Sequence, residues 1–246
     1  MLNSQSVIKI SEVFGSIQGE GPYTGTPCVF LRLATCNLKC SWCDTKYTWD
    51  WENYDIDKEV KEYGIHELVK KITIFGKTHI VITGGEPLLQ QTKISMLLNL
   101  LKCKMKNDNN SNNYFIEIET NGTISPTPEI LGLVDQWNVS PKINNSQNNQ
   151  QGINLDKLYE KSLSFFKDLQ NASFKFVIDK TEDLIEINQF IDKYDLPKEK
   201  VILMPQGTTK ESISEKSRWI AKYAKENNFV FTTRLQVLLW GNQRGK

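Results

Sequence analysis

The chain is poor in several features that would point to other classes of protein. Among its 246 residues it has two histidines and five cysteines. An odd number of thiols argues against a disulfide framework and for a reducing compartment. No apolar run approaches the roughly 18 residues that a membrane helix needs, and no secretory signal is visible at the N-terminus. We therefore expect a cytoplasmic protein that neither crosses nor enters a membrane.

Neither sign of charge is in excess, because 30 basic residues nearly balance 29 acidic ones. The net charge of +1 gives no electrostatic footprint for nucleic acid or for an anionic membrane. The length suits one large α/β domain over residues 1–246 with a sizeable core. We find no internal repeat and no domain boundary in the sequence.

Three of the cysteines, Cys36, Cys40 and Cys43, lie within eight residues in the spacing C-x3-C-x2-C. Soft thiolate ligands favour iron–sulfur or zinc sites. Three thiolates can hold three irons of a cubane cluster, which leaves the fourth iron open to a small molecule. No fourth cysteine lies nearby in the sequence to close a structural zinc site, and we interpret Cys28 and Cys103 as inert thiols.

Short apolar, β-rich runs alternate with amphipathic helical patterns, which predicts βαβ units and a mostly parallel sheet. The predicted strands are Cys28–Leu33, His79–Thr83, Tyr114–Glu119, Gln136–Val139, Phe174–Ile178, Val201–Met204 and Leu235–Leu239. The predicted helices are Ile65–Ile74, Gln90–Lys102, Leu155–Leu169, Leu184–Tyr194 and Ser212–Asn227. Ligand chemistry in such sheets gathers at the carboxyl ends of the strands.

Unusual polar and glycine-rich segments follow five of these predicted strands. In chain order they begin at Cys36, at Thr83-Gly84-Gly85-Glu86-Pro87, at Glu119-Thr120-Asn121-Gly122, at Ser140-Pro141-Lys142 and at Met204-Pro205-Gln206. Because parallel strands end at the same edge of a sheet, we expect all five segments to lie on one edge. The sequence therefore predicts a ligand site there.

Two polar tracts, Asn107–Asn113 and Asn144–Gln151, interrupt the pattern. Their composition predicts solvated, disordered loops, because polar tracts bury too little apolar area to become ordered. A mobile lid is the alternative for the second tract, which closely follows Lys142. His66 and His79 have no cysteine or carboxylate at ligand spacing, and we interpret both as structural.

The cysteine loop after the first predicted strand and the Gly-Gly-Glu-Pro after the second resemble the radical S-adenosylmethionine (SAM) superfamily. Further segments are similar to the 7-carboxy-7-deazaguanine synthase family within it: Phe14–Gly21, Phe30–Leu33, Cys43–Thr45, Glu119–Gly122, Ser140–Lys142 and Leu239–Asn242. The resemblance runs from about residue 7 to the C-terminus. It implies a partial (β/α) barrel of the radical SAM type and a homodimer.

The resemblance implies a [4Fe–4S] cluster, SAM and Mg²⁺ as cofactors, and a flavodoxin or ferredoxin as electron donor. In that family, SAM is cleaved to methionine and a 5′-deoxyadenosyl radical, which takes a hydrogen atom from 6-carboxy-5,6,7,8-tetrahydropterin. The ring contracts, ammonia leaves, and 7-carboxy-7-deazaguanine forms for 7-deazapurines such as queuosine. SAM is regenerated. No catalytic group beyond the cluster and SAM is implied.

The resemblance also assigns roles to residues of this chain. Cys36, Cys40 and Cys43 would bind the cluster, and Thr45 would bind Mg²⁺. SAM would contact Gly84, Gly85, Glu86, Glu119, Ser140, Pro141, Lys142, Pro205 and Gln206. Trp42 would shield the cluster, and Asp44 would assist the Mg²⁺ site from its outer shell. The pterin substrate would contact Ile17, Gln18, Gly19, Glu20, Arg32 and Thr83.

Some of these roles also have a reason in the chemistry of the side chains. The amide of Gln18 and the carboxylate of Glu20 match the donor–acceptor–donor edge of a pterin. Arg32 stands in an apolar strand and needs an anionic partner, which would be the substrate carboxylate or, alternatively, an internal salt bridge. Glu119 and Lys142 have the alternative of pairing with each other. Two glycines at 84 and 85 would let the backbone approach a ligand.

One departure concerns the end of the chain, where some family members have a histidine near the substrate. Here the stretch reads Arg234-Leu235-Gln236-Val237, so Gln236 is the candidate replacement. Two other functions remain open on the sequence. One is a radical SAM activase that installs a glycyl radical on a partner enzyme, and the other is a structural or sensor module that binds zinc or a cluster.

Overall fold

The computed structural model describes residues 7–107 and 113–246. Within these residues nine strands form one sheet in the order β3-β1-β2-β4-β5-β6-β7-β8-β9. From β2 to β9 every neighbouring pair is parallel, whereas β1 is antiparallel to both β2 and β3. The strands are β1 Val7–Ile17, β2 Pro27–Leu33, β3 Lys61–Gly64, β4 His79–Gly84, β5 Phe115–Thr120, β6 Gln136–Val139, β7 Ala172–Ile178, β8 Val201–Pro205 and β9 Val230–Phe231.

Helices connect the parallel strands, which confirms the predicted α/β class. The described α-helices are α1 Ile56–Glu59, α2 Ile65–Thr73, α3 Gln91–Asn107, α4 Pro128–Leu131, α5 Leu155–Lys167, α6 Asp183–Tyr194, α7 Lys210–Asn227 and α8 Leu235–Trp240. In the described parts of the chain, none of the helices has the length and apolar character needed to cross a bilayer.

The two faces of the sheet differ in chemistry because side chains alternate along each strand. One face carries apolar residues such as Ile82 and Ile118, which are fully buried in the core together with helix residues. Trp137 of β6 packs its ring 5.5 Å from that of Phe166 on α5. The other face carries Glu117, Glu119, Asn138 and Lys175. This polar inner face is where a ligand can be recognised.

The sheet curves so that its two ends meet over the polar face. Lys175 on β7 forms an ion pair with Glu20, which follows β1. The backbone N–H of Leu235, at the start of α8, donates to the carbonyl of Gly19 at 2.9 Å. This curvature agrees with the predicted partial barrel.

The predicted strand Leu235–Leu239 is wrong, because these residues form α8. A short apolar run does not distinguish a strand from a helix, and the last strand of the sheet is instead β9, Val230–Phe231. The helix buries Val237 and ends at Gly241, which has a positive φ of 69°. The sequence reasoning also missed β1 and β3, whose polar residues interrupt the strand pattern.

The prediction of a disordered loop at Asn144–Gln151 is also wrong. The tract forms two short 3-10 helices, Asn144–Ser146 and Asn149–Gln151, and buries Ser146 and Asn148 completely. Asn145, Asn148 and Gln151 form hydrogen bonds with the cysteine loop, and Asn144 and Asn145 also bond to α6 and β7. In the first tract, Asn107–Asn113, residues 108–112 lie outside the described residues.

Gly84 and Gly85 are required by close packing between strand ends. A Cβ on Gly84 would lie 2.2 Å from the carbonyl oxygen of Leu33, and one on Gly85 would lie 1.9 Å from that of Thr35. Gly84 also has a positive φ of 132°. The sequence suggested that these glycines make room for a ligand, whereas the structure shows that they first make room for the chain that leads into Cys36.

We expect Gly85→Ala to lower the melting temperature of the protein without cofactors by roughly 3–10 °C, because the new methyl group must displace the Thr35 backbone. Gly132→Ala is the matched control, since a Cβ there meets nothing within 4 Å and its φ of −77° suits alanine. Thermal unfolding followed by circular dichroism measures both. Equal melting temperatures for the two variants would contradict this account of the close approach.

Candidate active site

A cavity of about 440 Å³ opens at the carboxyl edge of the parallel strands. Its walls include residues from the cysteine loop, from the ends of β2, β4, β5 and β7, and from the C-terminal segment. Every residue predicted to bind the cluster, Mg²⁺, SAM or substrate lines it except Glu86, Pro141 and Pro205. The fold therefore brings together segments from almost the whole length of the chain.

The three cysteines line one side of this cavity, and an N–H group approaches each sulfur atom. The backbone N–H of Leu38 lies 3.4 Å from Cys36 Sγ, and the indole N–H of Trp49 lies 3.4 Å from Cys43 Sγ. The side-chain amide of Asn148 lies 3.2 Å from Cys40 Sγ. Donors directed at sulfur stabilise thiolates, which is the form that binds metal.

Burial raises the pKa of the Cys36 thiol to about 12 and raises that of Cys40 as well. Without a metal these groups are therefore thiols, and metal binding must release their protons. In the described residues, no three histidine, cysteine or carboxylate side chains are placed to share a single metal ion. The donor set fits a cluster in which each thiolate binds a different iron.

Glu86 has a different place from the one predicted, because its side chain is fully buried beneath the cavity. It accepts hydrogen bonds from the backbone N–H groups of Leu88 at 3.0 Å and Asn121 at 2.7 Å, and from the Thr120 hydroxyl at 2.7 Å. Glu86 thus ties the loop after β4 to the end of β5. Pro141 and Pro205 are buried and do not line the cavity.

Ser140 and Lys142, which were predicted to contact SAM, lie on the cavity wall together with the cysteines. Lys142 Nζ donates to the Ser140 hydroxyl at 2.9 Å and lies 5.4 Å from the ring centre of Trp42. The alternative pairing of Lys142 with Glu119 does not occur. Glu119 instead accepts from the Thr83 hydroxyl at 2.7 Å, and it stands 3.3 Å from the amide nitrogen of Gln18.

Gln18 is almost completely buried, and its side chain is held by the inner face of the sheet. Its amide nitrogen donates to Glu117 at 2.6 Å, and its amide oxygen accepts from the backbone N–H of Glu20 at 3.1 Å. Glu117 also contacts Asn138 and lies 2.7 Å from His79 Nε2. The structural interpretation of His79 agrees with this position beneath the cavity. Gln18 lines the cavity, and its predicted contact with the substrate stays a prediction.

Glu20 lines the cavity and is held by two cations. Lys175 pairs with one carboxylate oxygen, and Arg234 Nε donates to the other at 3.1 Å. Gln236 Nε2 donates to the same oxygen at 2.7 Å. Burial alone would raise the pKa of Glu20, but Lys175 and Arg234 outweigh it and hold that pKa well below its ordinary value of 4.5.

Arg32 takes part in an internal salt bridge and also faces the cavity. Its Nε donates to Glu12 at 2.9 Å, and Glu12 also accepts from the Tyr47 hydroxyl at 2.6 Å. Among the described residues, Nε is the only atom of this guanidinium with a hydrogen bond, and Arg32 lines the cavity, so its two terminal nitrogens remain available as donors to a ligand. The guanidinium carbon of Arg244 lies 3.6 Å from the ring centre of Tyr47, next to Glu12 and Arg32.

Comparison with known proteins shows to which family this chain belongs. The family model of the radical SAM superfamily matches residues 32–192. The 7-carboxy-7-deazaguanine synthase of Pyrobaculum aerophilum is 36% identical over 97% of both chains, and that of Rhodopirellula baltica is 31% identical over 98% of this chain and 90% of its own. The chain belongs to the 7-carboxy-7-deazaguanine synthase family of the radical SAM superfamily.

Solved structures agree with the fold of this family. The crystal structure of QueE from Escherichia coli superposes with a TM-score of 0.64 at 24% identity, and covers 93% of this chain and 94% of its own. A structure of anSMEcpe with bound AdoMet gives a TM-score of 0.56 at 15% identity over 84% of this chain and 62% of its own. Membership in the radical SAM superfamily implies a [4Fe–4S] cluster and SAM for this chain.

Several residues in or next to the cavity escaped the sequence reasoning. Lys175 could have been found, because it interrupts the apolar strand Phe174–Ile178 just as Arg32 interrupts β2. Arg234 binds Glu20 and Asp44, but nothing local in its sequence marks it. Asn148 was hidden in a tract whose composition suggested disorder. Asp44, predicted to assist the Mg²⁺ site from its outer shell, is engaged by Arg234.

We expect Glu20→Gln to make the free energy of unfolding less dependent on pH under acidic conditions. The low folded-state pKa of Glu20 means that its ionised form stabilises the fold fully above its ordinary pKa of 4.5, and that this contribution is lost as the pH falls below that value. Urea unfolding from roughly pH 3 to 7 measures the slope.

The matched control is Glu226→Gln, which changes an exposed carboxylate near the end of α7. It should follow the pH dependence of the wild-type protein. If the free energy of unfolding falls as steeply at acidic pH in Glu20→Gln as in the wild-type protein, the two cations do not lower the pKa of this carboxylate.

Proposed function

We propose that the protein is a SAM-dependent lyase that converts 6-carboxy-5,6,7,8-tetrahydropterin into 7-carboxy-7-deazaguanine with release of ammonia. The observation that carries this proposal is that the cysteine loop, Glu20 and Arg32 all line a single cavity. The cysteine loop offers ligands for a cluster, and Glu20 and Arg32 offer polar groups that suit an anionic pterin. The similarity of the whole chain to synthases of this name supports the same reaction.

Cys36, Cys40 and Cys43 would hold the cluster, with its open iron toward the cavity. When bound, the cluster and SAM supply the one-electron chemistry that removes a hydrogen atom from the substrate. Lys142 and Ser140 offer donors for the SAM carboxylate, and Glu119 has carboxylate oxygens near the cavity for hydroxyl groups of the ribose. Gly85 offers mainly its carbonyl, since its N–H already donates to Leu33 at 3.0 Å.

Glu20 and Gln236 would bind the nitrogen-rich edge of the pterin. Because Glu20 stays ionised, it acts only as an acceptor and suits the N–H groups of that edge. Gln236 Nε2 donates to Glu20, so its Oε1 points away from that carboxylate, and this buried oxygen has no partner among the described residues. An amide oxygen and a carboxylate together can accept two neighbouring substrate donors.

Arg32 would bind the substrate carboxylate through its two terminal nitrogens. Glu12 already accepts from Nε, which orients the plane of the guanidinium toward the cavity. Phe14 packs 5.7 Å below the guanidinium carbon and limits its other positions. A bidentate pair of this kind is both strong and directional.

Thr45 would supply a hydroxyl ligand to Mg²⁺. Its Oγ1 lies 3.5 Å from Cys43 Sγ at the cavity wall. Because Arg234 engages the neighbouring Asp44, substrate oxygens and water would have to complete the coordination shell. The flavodoxin or ferredoxin donor, the homodimer and the cytoplasmic location also stay predictions.

The reaction is tested by anaerobic incubation of the reconstituted, reduced protein with SAM, Mg²⁺ and 6-carboxy-5,6,7,8-tetrahydropterin. Mass spectrometry should detect 7-carboxy-7-deazaguanine, and a Cys40→Ala control should not form it. Product without added Mg²⁺ and with a chelator present would remove the metal from the proposal. Formation of 5′-deoxyadenosine without the product would contradict the proposed substrate and favour an activase of a glycyl radical enzyme.

We expect Arg32→Gln to lower kcat/KM for the carboxylated pterin on the order of a hundredfold, chiefly through KM, because a desolvated charge pair is lost. Arg218→Gln on the exposed side of α7 should leave kcat/KM unchanged. A tetrahydropterin without the carboxylate provides the second comparison. If Arg32 binds the carboxylate, the analogue should react slowly, and its kcat/KM should be the same for the wild-type protein and for Arg32→Gln. A further large loss with the analogue would show another role.

A further inference from the structure

The asparagine-rich segment Asn144–Gln151 holds the cysteine loop by contacts with four successive residues, Lys39 to Trp42. Ser41 N–H donates to the carbonyl of Ser146 at 3.0 Å. Gln151 Nε2 donates to the carbonyl of Lys39 at 2.7 Å, and the indole N–H of Trp42 donates to Asn145 Oδ1 at 3.2 Å. We call this segment the asparagine clasp.

Asn148 is the member of the clasp that reaches a cluster ligand. Its side chain is fully buried, and its Nδ2 lies 3.2 Å from Cys40 Sγ and 2.9 Å from Ser146 Oγ. Its Oδ1 accepts from the backbone N–H of Lys39 at 2.8 Å. A backbone N–H can only donate, so the oxygen must face Lys39 and the NH2 group must face the sulfur.

The clasp is itself anchored to the sheet and to α6. Asn145 Nδ2 donates to the carbonyl of Val177 at 3.0 Å and to Asp183 Oδ2 at 2.9 Å. Asn144 N–H donates to Glu186 at 2.8 Å. The Asn148 amide is thus held in place from the far side, independently of whether a cluster is bound.

We propose that Asn148 is a positioning residue that donates an N–H···S hydrogen bond to the Cys40 thiolate of the bound [4Fe–4S] cluster and thereby raises its reduction potential. This inference rests on the proposed function, because that function requires the cluster. The reduced cluster carries one more negative charge than the oxidised cluster. A donor aimed at one of its sulfur ligands therefore stabilises the reduced form more strongly.

Two substitutions at Asn148 test the donor. Asn148→Asp keeps the size and the acceptor for Lys39 but replaces the donor by a charge, whereas Asn148→Ala removes the donor without adding charge. At a fixed ambient potential we expect the ratio of reduced to oxidised cluster to fall about three- to tenfold in Asn148→Ala, which is a shift of about 30–60 mV to more negative potential.

The measurement is a redox titration of the reconstituted protein, followed by electron paramagnetic resonance, with iron and sulfide content determined on the same samples. Gln151→Ala is the matched control, because it removes a clasp contact to Lys39 without touching the sulfur. Its potential should equal that of the wild-type protein. No pterin is added, so failure of the proposed reaction does not affect this result.

Each outcome decides the proposal. Lower potentials in both Asn148 variants support it. Loss of the cluster from both variants while Gln151→Ala keeps it would overturn the redox role and assign Asn148 to retention of the cluster. An unchanged potential in Asn148→Ala at full iron content overturns it, even if Asn148→Asp is shifted, because only charge would then matter. Equal loss of the cluster from Gln151→Ala would assign the clasp a purely structural role. A wild-type protein that binds no [4Fe–4S] cluster would overturn both this inference and the proposed function.

Discussion

Two backbone hydrogen bonds between the end of β2 and the loop after β4 determine where chemistry can take place in this protein. Gly85 N–H donates to Leu33, and Glu86 N–H donates to Thr35. The bonds require the chain to approach so closely that no side chain fits at residues 84 and 85. They set the start of the cysteine loop against the glycine pair, and the buried Glu86 then extends the connection to β5. Cluster ligands and SAM contacts are thus parts of one rigid edge.

The second constraint is electrostatic, because the inner face of the sheet buries charge. An isolated buried charge is unfavourable, so each buried charged side chain needs an ion-pair or hydrogen-bond partner. Glu20 has Lys175 and Arg234, and Glu117 is contacted by His79 and Gln18. These partners fix the positions of the carboxylates before any substrate enters. The cavity is therefore polar and organised in advance, as is expected of a site that must orient a flat, nitrogen-rich molecule.

Much of the fold followed from local patterns in the sequence. The boundaries of β6 were predicted to the residue, and β4 and β5 to within one residue, because each is a short run with apolar or alternating side chains that ends at a polar or glycine-rich segment. The cysteine spacing and the glycine pair marked the edge of the sheet where the cavity lies, because each directly follows a predicted parallel strand. Helix α8 could not be predicted, since five apolar or amphipathic residues suit both a strand and a helix.

The errors at the site share a physical cause, which is that partners distant in the sequence leave no local pattern. Asn148 is ordered by Lys39 and Cys40, more than 100 residues earlier. Composition gave no sign of these partners, so the tract was predicted to be solvated. Arg234 likewise acquires its role only through Glu20 and Asp44. Lys175 is different, because the rule that identified Arg32 applied to it equally.

The ion pair between Glu20 and Arg234 also bears on the order in which the protein can fold. These residues are 214 positions apart, whereas the three cysteines lie within eight. Long-range contacts form late, because closing a large loop costs entropy before any contact compensates for it. The cysteine loop also depends on distant partners, because Asn148 contacts Lys39 and Cys40 from more than 100 residues later. The loop can therefore take its final shape only after Asn144–Gln151 has been synthesised, and the contacts of Glu20 form later still, once Arg234 is available. Substrate binding is in this way coupled to completion of the fold.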